Sequence, residues 1–540
     1  GLQDGWKYSK DVLLLPKLVE PPREAKSDYR ICAELAERLG IGPAFTEGRD
    51  ERAWVAWMLE ELRRTRFPGI PTLDEFLARN LGAYRVPVEQ PAVALADFRA
   101  DPAGHPLATE TGKIEIFSPQ LHRLGRPDEI PAVPKYIQEW ESPFGPEAAR
   151  YPLQAMGHHT LHRVHSTHDN VDWLEEAFPQ RAFMNPEDAR ARGIRDGDLV
   201  KVYNDRGAMV LPCRLTPRIM PGVVDIPQGA WWTPDAHGVD RRGAVNVLTS
   251  ERPTPYAWGN TQHTIMVQVE RPLSPLGERV GVRGGFAPSQ APQRARPSSP
   301  ASTLGASCRV SPSAPSSPVE GEGKAARQLA FYLDASACTG CKACQVACKD
   351  HNGLPVGLLW RRVYEVSGGG WRHEGAAWVH DVFAYHLSLA CNHCERPACL
   401  EVCPAGAIRK RADGIVLIDP EKCIGCRYCA WACPYGAPQY DAATGRMTKC
   451  TFCVEEIDAG RPPACVAACP MRALDYGERA ELEARHAPRT GEVGAVREPP
   501  LPPGKAAVPL PDDSLTRPAL LIRPHRDAQR AGGVANREEV

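Results

Sequence analysis

The chain lacks what would tie it to nucleic acid or carry it across a membrane. Lys and Arg number 65 against 66 Asp and Glu, a formal net charge of −1. A nucleic-acid binder carries a strong basic excess, so no nucleic-acid partner is expected. No apolar run approaches the roughly 18 residues of a membrane-spanning helix. The best stretch, "DVLLLPKLV", is short and interrupted by Pro16. The opening "GLQDGWKYSK" has neither an initiator Met nor the charged-then-apolar pattern of a secretory signal. The expectation is that the sequence starts inside something longer, or has lost its beginning. Cysteine is almost missing outside one region: Cys32, Cys213 and Cys308 are scattered. The other sixteen of the nineteen lie between Cys338 and Cys469.

Composition divides the chain. Residues 1–150 read as globular and mostly helical. Asp28 is placed to cap a helix in which Ile31, Leu35 and Leu39 recur at helical spacing, closed by Gly40. A second helix carries Trp54, Val55, Met58, Leu59 and Leu62 and ends at Pro68. Both stripes imply a packed helical core. Residues 151–272 read as β-rich. "LVKVYNDRGAMVLPCRL" is two strands joined by a turn at Asn204–Gly207, and "GVVDIPQG" and "HTIMVQVE" are further strands. A short helix is expected around Pro186–Arg192.

In residues 273–328, Pro, Ser and Gly make up 25 of 56 positions, without an apolar period. Such a stretch cannot bury enough surface to fold, so a disordered linker is expected. Its text looks like translated intergenic DNA, and Cys308 within it is expected to be inert. Residues 329–478 hold the cysteine array. Residues 479–540 turn Pro- and Arg-rich again and read as an extended tail or disorder.

The array has four groups: Cys338, Cys341, Cys344, Cys348; Cys391, Cys394, Cys399, Cys403; Cys423, Cys426, Cys429, Cys433; and Cys450, Cys453, Cys465, Cys469. The third is C-x2-C-x2-C-x3-C-P, the bacterial ferredoxin run; the first shares its spacing, and the second and fourth lengthen only the gap before the third cysteine. The spacing suits a cubane. Three close thiolates wrap one loop round three irons, and the fourth reaches a neighbouring cluster. Zinc, disulfides and plain buried thiols are the alternatives. Zinc sites use two separated C-x2-C halves, and the others need no fourfold array. Ligand exchange pairs the second group with the third and the first with the fourth. Four [4Fe–4S] clusters follow: Cys338, Cys341, Cys344 with Cys469; Cys450, Cys453, Cys465 with Cys348; Cys391, Cys394, Cys399 with Cys433; Cys423, Cys426, Cys429 with Cys403. Lys342, Arg396, Arg427 and Lys449 are cations placed to raise cluster potentials, or plain surface charges.

The stretches "CTGCKACQVACKDHN", "CNHCERPACLEVCPAGAI", "CIGCRYCAWACPYGAPQY" and "MTKCTFCVEEIDAGRPPACVAACPMRALDYG" closely resemble the iron–sulfur subunit of the anaerobic dimethyl sulfoxide reductase family. In that family this subunit takes electrons from a quinol-oxidising membrane anchor to a molybdenum catalytic subunit. The resemblance therefore implies both partners. It also implies a location peripheral to the bacterial cytoplasmic membrane, on the periplasmic side through a partner's twin-arginine signal.

Upstream, "YPLQAMGHHTLHRVHSTHDNVDWL", "MNPEDARARGIRDGDLVKVYNDRG", "IPQGAWW" and "GNTQHTIMVQVE" resemble the molybdopterin-dinucleotide-binding domain of the same family's catalytic subunit, a six-stranded double-psi barrel. "VEPPREAKSDYRICAELAERLG" and "ATETGKIEIFSP" resemble that subunit's later part. The expected architecture is thus multidomain: a truncated catalytic part at 1–150, the β-rich barrel at 151–272, the linker, and an α+β ferredoxin-like domain at 329–478. By this resemblance a molybdopterin guanine dinucleotide, in a partial site, falls to Gly157, His159, Arg163, His165 and Ser166, with Asn185, Asn260, Thr261 and Gln262 as weaker candidates. Gly permits close approach, and the polar side chains match pyrophosphate, ribose and base. The five histidines from His158 to His168 also invite a metal reading, but they lack a carboxylate and cysteine set at ligand spacing.

The family's catalytic subunit opens with a twin-arginine signal, its own cluster motif and the metal-ligating segment. None of these is visible here, so no catalytic residue is assigned. The expected function is electron transfer in a dimethyl sulfoxide- or selenate-type molybdenum reductase, the iron–sulfur part being fused to a remnant of the catalytic part. The rival readings are a non-catalytic fusion product, or the equivalent subunit of a polysulfide or thiosulfate reductase or a formate dehydrogenase.

Overall fold

The structure, a computed structural model, describes residues 2–4, 11–15, 20–79, 83–85, 93–261, 263–272, 327–487, 516–528, 530 and 533–535. The expected linker lies outside the described residues but for its last two positions, and Cys308 and Gln262 lie outside them too. The chain forms two compact units, residues 1–125 and 126–540. No helix among the described residues is long and apolar enough to cross a membrane.

In the first unit, helix Asp28–Arg38 is capped by Ser27, whose side chain accepts from the Arg30 N–H. The expected cap, Asp28, instead sits in the first turn, where its charge suits the helix dipole. Its apolar stripe is uncovered: Ile31, Leu35 and Leu39 are 51%, 54% and 65% exposed. The expected packed core therefore fails for this helix, because helical spacing fixes which face is apolar and not what covers it. Helix Glu51–Thr65 does pack. Its Leu59 is buried with Val12, Leu14, Ile70, Leu73 and Phe76. Val12 and Leu14 belong to strand Asp11–Leu14, so the part of that apolar run before Leu15 is the middle strand of a three-stranded sheet.

The second unit holds two bodies. The first is a closed six-stranded barrel in the order Leu153–Met156, Val223–Asp225, Ala182–Met184, Ala208–Leu215, Leu199–Tyr203, Ile265–Glu270. Two of its pairings are parallel, Leu153–Met156 with Val223–Asp225 and Ala182–Met184 with Ala208–Leu215. Alternation along the strands sends Leu153, Ala155, Val200, Val202, Met209 and Leu211 inward. Cys213 joins this core, and burial pushes its thiol up to about 12, as for an inert apolar residue.

The cysteine-rich body is built on strand Leu329–Asp334, flanked by Leu474–Glu478 antiparallel and Leu520–Arg523 parallel. Arg362–Gly368 pairs with Phe383–Leu389 on one edge and Gly533–Val534 on the other. The residues after 478 are therefore not simply an extended tail. Arg479–Arg485 is a helix, and Thr516, Ala519 and Ala528 are buried. A four-residue strand among prolines is too short to show a period in sequence.

Charge joins the two bodies. Lys349 pairs with Glu176 at 2.6 Å, and Trp371 Nε1 donates to the Pro217 carbonyl at 2.7 Å. Lys342 Nζ donates to the Ala177 carbonyl. Glu365 reaches across to Arg218 at 3.0 Å and Arg214 at 4.0 Å, with His386 at 3.6 Å on its own side. Burial alone would raise the Glu365 carboxyl. The close His386 ring and the charges of Arg218 and Arg214 outweigh it and hold the group down at about 2.

A depressed carboxyl stabilises above its unfolded value, near 4.3, and loses that contribution as pH falls toward the folded value. We expect the joint to weaken between about pH 4 and pH 2, by roughly 3 kcal/mol in all. Glu365→Gln should bring the weakening to neutral pH. Hydrogen exchange at residues 214–218 measures it, and equal protection in both proteins at pH 7 would refute the assignment.

Candidate cluster sites and dinucleotide cleft

Each cysteine group opens on a loop with one repeated backbone device. The residue before the second cysteine takes positive φ in all four: Gly340 (71°), His393 (43°), Gly425 (68°) and Phe452 (61°). This left-handed step curls successive N–H groups toward one point, as in backbone anion nests. At Gly425 the reason for glycine is also steric, since a Cβ would lie 2.1 Å from the Gly445 carbonyl oxygen. Backbone N–H groups already meet sulfur: Met447 to Cys423 at 3.4 Å, Phe452 to Cys450 at 3.4 Å, and Ala473 to Cys469 at 3.3 Å.

The loops bring the cysteines into mixed quartets. Cys391, Cys394 and Cys399 line one cavity with Cys433. Cys423, Cys426 and Cys429 line a second with Cys403. Cys338, Cys341 and Cys344 line a third with Cys469. The three cavities have similar open volumes of about 370, 310 and 330 Å³. Cys348 lies within electrostatic reach of Cys450, Cys465 and Cys453. In each quartet the last cysteine comes from another group.

All eighteen described cysteines are free, so no disulfide competes among the described residues. No three Cys, His, Asp or Glu side chains among them converge on the position of a single ion. A zinc ion would need sulfurs about 2.3 Å from one centre; cavity-lining quartets suit a many-atom cluster. Burial pushes Cys338 up to about 11 and Cys399 and Cys450 up to about 12. Reactive cysteines are shifted the other way, so nucleophilic chemistry does not fit.

Of the named cations, Lys449 is buried beside the Cys391 cavity and donates to the Cys450 carbonyl at 3.0 Å. Lys342 is buried against the barrel. Arg427 stacks on Tyr440 at 3.8 Å. Two buried groups escaped the sequence reading, Arg361 and His393. His393 lines the same cavity as Lys449, and a lone Arg before a strand gives no signal.

In the barrel, the loop after strand Leu153–Met156 carries the dinucleotide candidates. Arg163 is buried under it, paired with Asp169 at 2.6 Å and Glu175 at 3.2 Å, and donates to Gln180 at 2.7 Å. It anchors the loop and does not project from it. Gly157 is fixed by Gln228, whose amide donates to its carbonyl at 2.8 Å. His159, His165 and Ser166 remain on the exposed rim, with the two imidazoles 5.6 Å apart. Asn185 is committed to capping helix Pro186–Ala191, and its amide donates to the Ile219 carbonyl at 2.7 Å. Asn260 is exposed and Thr261 half-buried on a separate loop. The acidic and amide anchors Asp225 and Gln228 were unread in "VVDIPQG", where they break the apolar run.

Beside this rim runs a cleft of about 1340 Å³ open volume, several times larger than the cysteine cavities. His158, His159, Arg214 and Arg218 line its barrel side, and Thr339 and Lys342 of the Cys338 loop line the other. Asp225 and Glu365 also line it, paired with His158 and with Arg214 and Arg218, and its size suits a ligand as large as a dinucleotide.

The family described as "Molydopterin dinucleotide binding domain" matches residues 153–266, and the "4Fe-4S dicluster domain" family matches residues 382–479. The chain is 46% identical over 217 residues to the B subunit of the Escherichia coli anaerobic dimethyl sulfoxide reductase, covering 98% of that protein and 39% of this chain. It is 41% identical over 267 residues to the dimethyl sulfoxide reductase DmsA of Haemophilus influenzae, covering 48% of this chain. It spans about a third, 33%, of the length of that relative. The structure of acetylene hydratase from Pelobacter acetylenicus aligns over 50% of this chain and 36% of its own, with TM-score 0.38 and 20% identity.

Gly229 (φ 95°) packs under the loop, where a Cβ would lie 1.8 Å from the His165 carbonyl oxygen. Gly229→Ala must therefore displace the His159–Ser166 rim. We expect a loss of about 2–3 kcal/mol in barrel stability, read by denaturant unfolding. Retention of added guanine dinucleotide should fall, while iron uptake stays unchanged.

Proposed function

We propose, from the premise that this chain belongs to the anaerobic dimethyl sulfoxide reductase family, that it is an electron-transfer protein with four [4Fe–4S] clusters joined to a molybdopterin-dinucleotide-binding barrel. The clusters would carry single electrons, and the dinucleotide would carry the molybdenum. The observation that carries this reading is the mixing of the cysteine groups into shared quartets.

The quartets form a chain. Cys344 of the Cys338 site lies within reach of Cys465 in the Cys450 site. Cys450 in turn lies within reach of Cys391. Cys399 and Cys403, on the two sides of the second pair, share one short segment at helix Ala398–Glu401. The order is therefore the Cys338, Cys450, Cys391 and Cys423 sites. The Cys338 end faces the cleft through Thr339 and Lys342. The Cys423 end presents Ile424 and Trp431, 67% and 77% exposed. Electrons enter at the exposed apolar end, from a quinol-oxidising membrane anchor, and leave at the barrel end toward the molybdenum site. We read the barrel as the double-psi type, which its mixed parallel and antiparallel pairings support. We place the assembly at the periplasmic face of the membrane.

In this reading the chain's own side chains bind and exclude water. The thiols release their protons when iron loads, and the loop N–H groups stabilise the anionic sulfur. Arg163 and Gln228 hold the loop that presents His159, His165 and Ser166 to the dinucleotide.

Anaerobic reconstitution of the full chain should bind about sixteen irons with as many sulfides, four per quartet of the sixteen motif cysteines. Cys348→Ser should alter the electron paramagnetic resonance signal of the Cys450 cluster and spare the Cys338 cluster. Saturation at about four or eight irons would sink the four-cluster reading. Loss confined to the Cys338 cluster would sink the pairing.

A further inference from the structure

Arg361 is the largest fully buried side chain among the described residues, at 2% exposure. It stands just before strand Arg362–Gly368. Nη1 donates to the Ser388 carbonyl at 3.1 Å and to its hydroxyl at 3.2 Å. Nε and Nη2 are buried without a hydrogen-bond partner in the protein. Phe331 covers the guanidinium, 4.7 Å from its ring centroid. A buried guanidinium with two idle donors carries a large desolvation penalty unless an anion lies beside it.

The groups that act on it most strongly are sulfurs, those of Cys465, Cys344, Cys450 and Cys348. A guanidinium keeps its proton in proteins, so the side chain is a cation. Cys344 belongs to the Cys338 quartet and the other three to the Cys450 quartet, so the cation sits between the two sites. Ser388 strengthens the link, since its hydroxyl also meets Cys344 Sγ at 3.1 Å.

We propose that Arg361 aims Nε–H and Nη2–H at the clusters of the Cys338 and Cys450 sites and sets their reduction potentials above those a neutral residue would give. This rests on the cluster reading above. A cluster gains one negative charge on reduction. A fixed cation in a poorly screened interior favours the reduced form, and the effect fades toward the distant Cys423 site. Arg361 is thus a positioning residue for charge and does not ligate iron.

The test uses the full chain, reconstituted anaerobically with iron and sulfide and titrated with dithionite under electron paramagnetic resonance. Arg361→Gln should lower the reduction equilibrium of the two clusters at least tenfold, about 59 mV for a one-electron couple, and leave the Cys423 cluster unmoved. Arg361→Lys, which keeps the charge, should recover most of the shift. Wild-type chain carrying ¹⁵N-arginine should show a nitrogen coupling to the reduced Cys450 cluster that is absent from Arg361→Lys. This measurement decides the matter alone if Arg361→Gln fails to assemble. A fully loaded chain without that coupling, or an Arg361→Gln variant with unchanged potentials, overturns the proposal and leaves the cluster reading intact. Failure of the wild type to load the Cys338 and Cys450 sites would instead overturn the cluster reading.

Discussion

The bond between buried sulfur and iron is the constraint on which the C-terminal body depends. Its main core is not purely hydrocarbon. Cys344, Cys391, Cys450 and Cys465 are buried in it among Leu329, Phe331, Leu333 and Val363. The helices that carry the cysteines are short, such as Ala398–Glu401, Tyr428–Ala432 and Ala464–Ala467. Helices of this length have no independent stability in water. Bound clusters would hold these short elements together, as metals do in other small metal-organised domains. The left-handed residues of the four loops, costly in isolation, belong to the same economy.

Much of this was readable in sequence, for physical reasons. The cysteine spacing is a geometric statement about a cubane, so four groups with exchanged partners could be proposed directly, and three cavities are lined by cysteines of two groups each. The barrel hairpin Leu199–Leu215 was equally legible, because strand alternation and an Asn-Asp-Arg-Gly turn reinforce each other. What stayed hidden depends on long-range packing. Ile31, Leu35 and Leu39 announce an apolar face without saying whether anything covers it. That Arg163 is a buried anchor was hidden, because its partners Asp169, Glu175 and Gln180 are polar residues of no local pattern. Arg361 and Glu365 gain their roles only from groups far away in sequence.

The joint between barrel and cluster body has a different character from either core. Its anchors are charged or polar: Glu176 with Lys349, Glu365 with Arg218, and Trp371 with a carbonyl. Such surfaces resemble those between separately made subunits more than the inside of one domain. The relatives fit this picture, since one is the B subunit of a reductase and another is DmsA, a separate protein. Here a single sequence carries both parts, and the cleft that separates them places the Cys338 loop opposite the histidine-rich rim.

Strand Leu520–Arg523 lies parallel beside Leu329–Asp334, the first strand of the cluster body. During synthesis that first strand leaves the ribosome long before its neighbour exists. Thr516, from the same late segment, lines the Cys391 cavity, so that cavity lacks a finished wall until nearly all of the described sequence has been made. The enclosed form of this site is thus among the last features of the body that synthesis can complete.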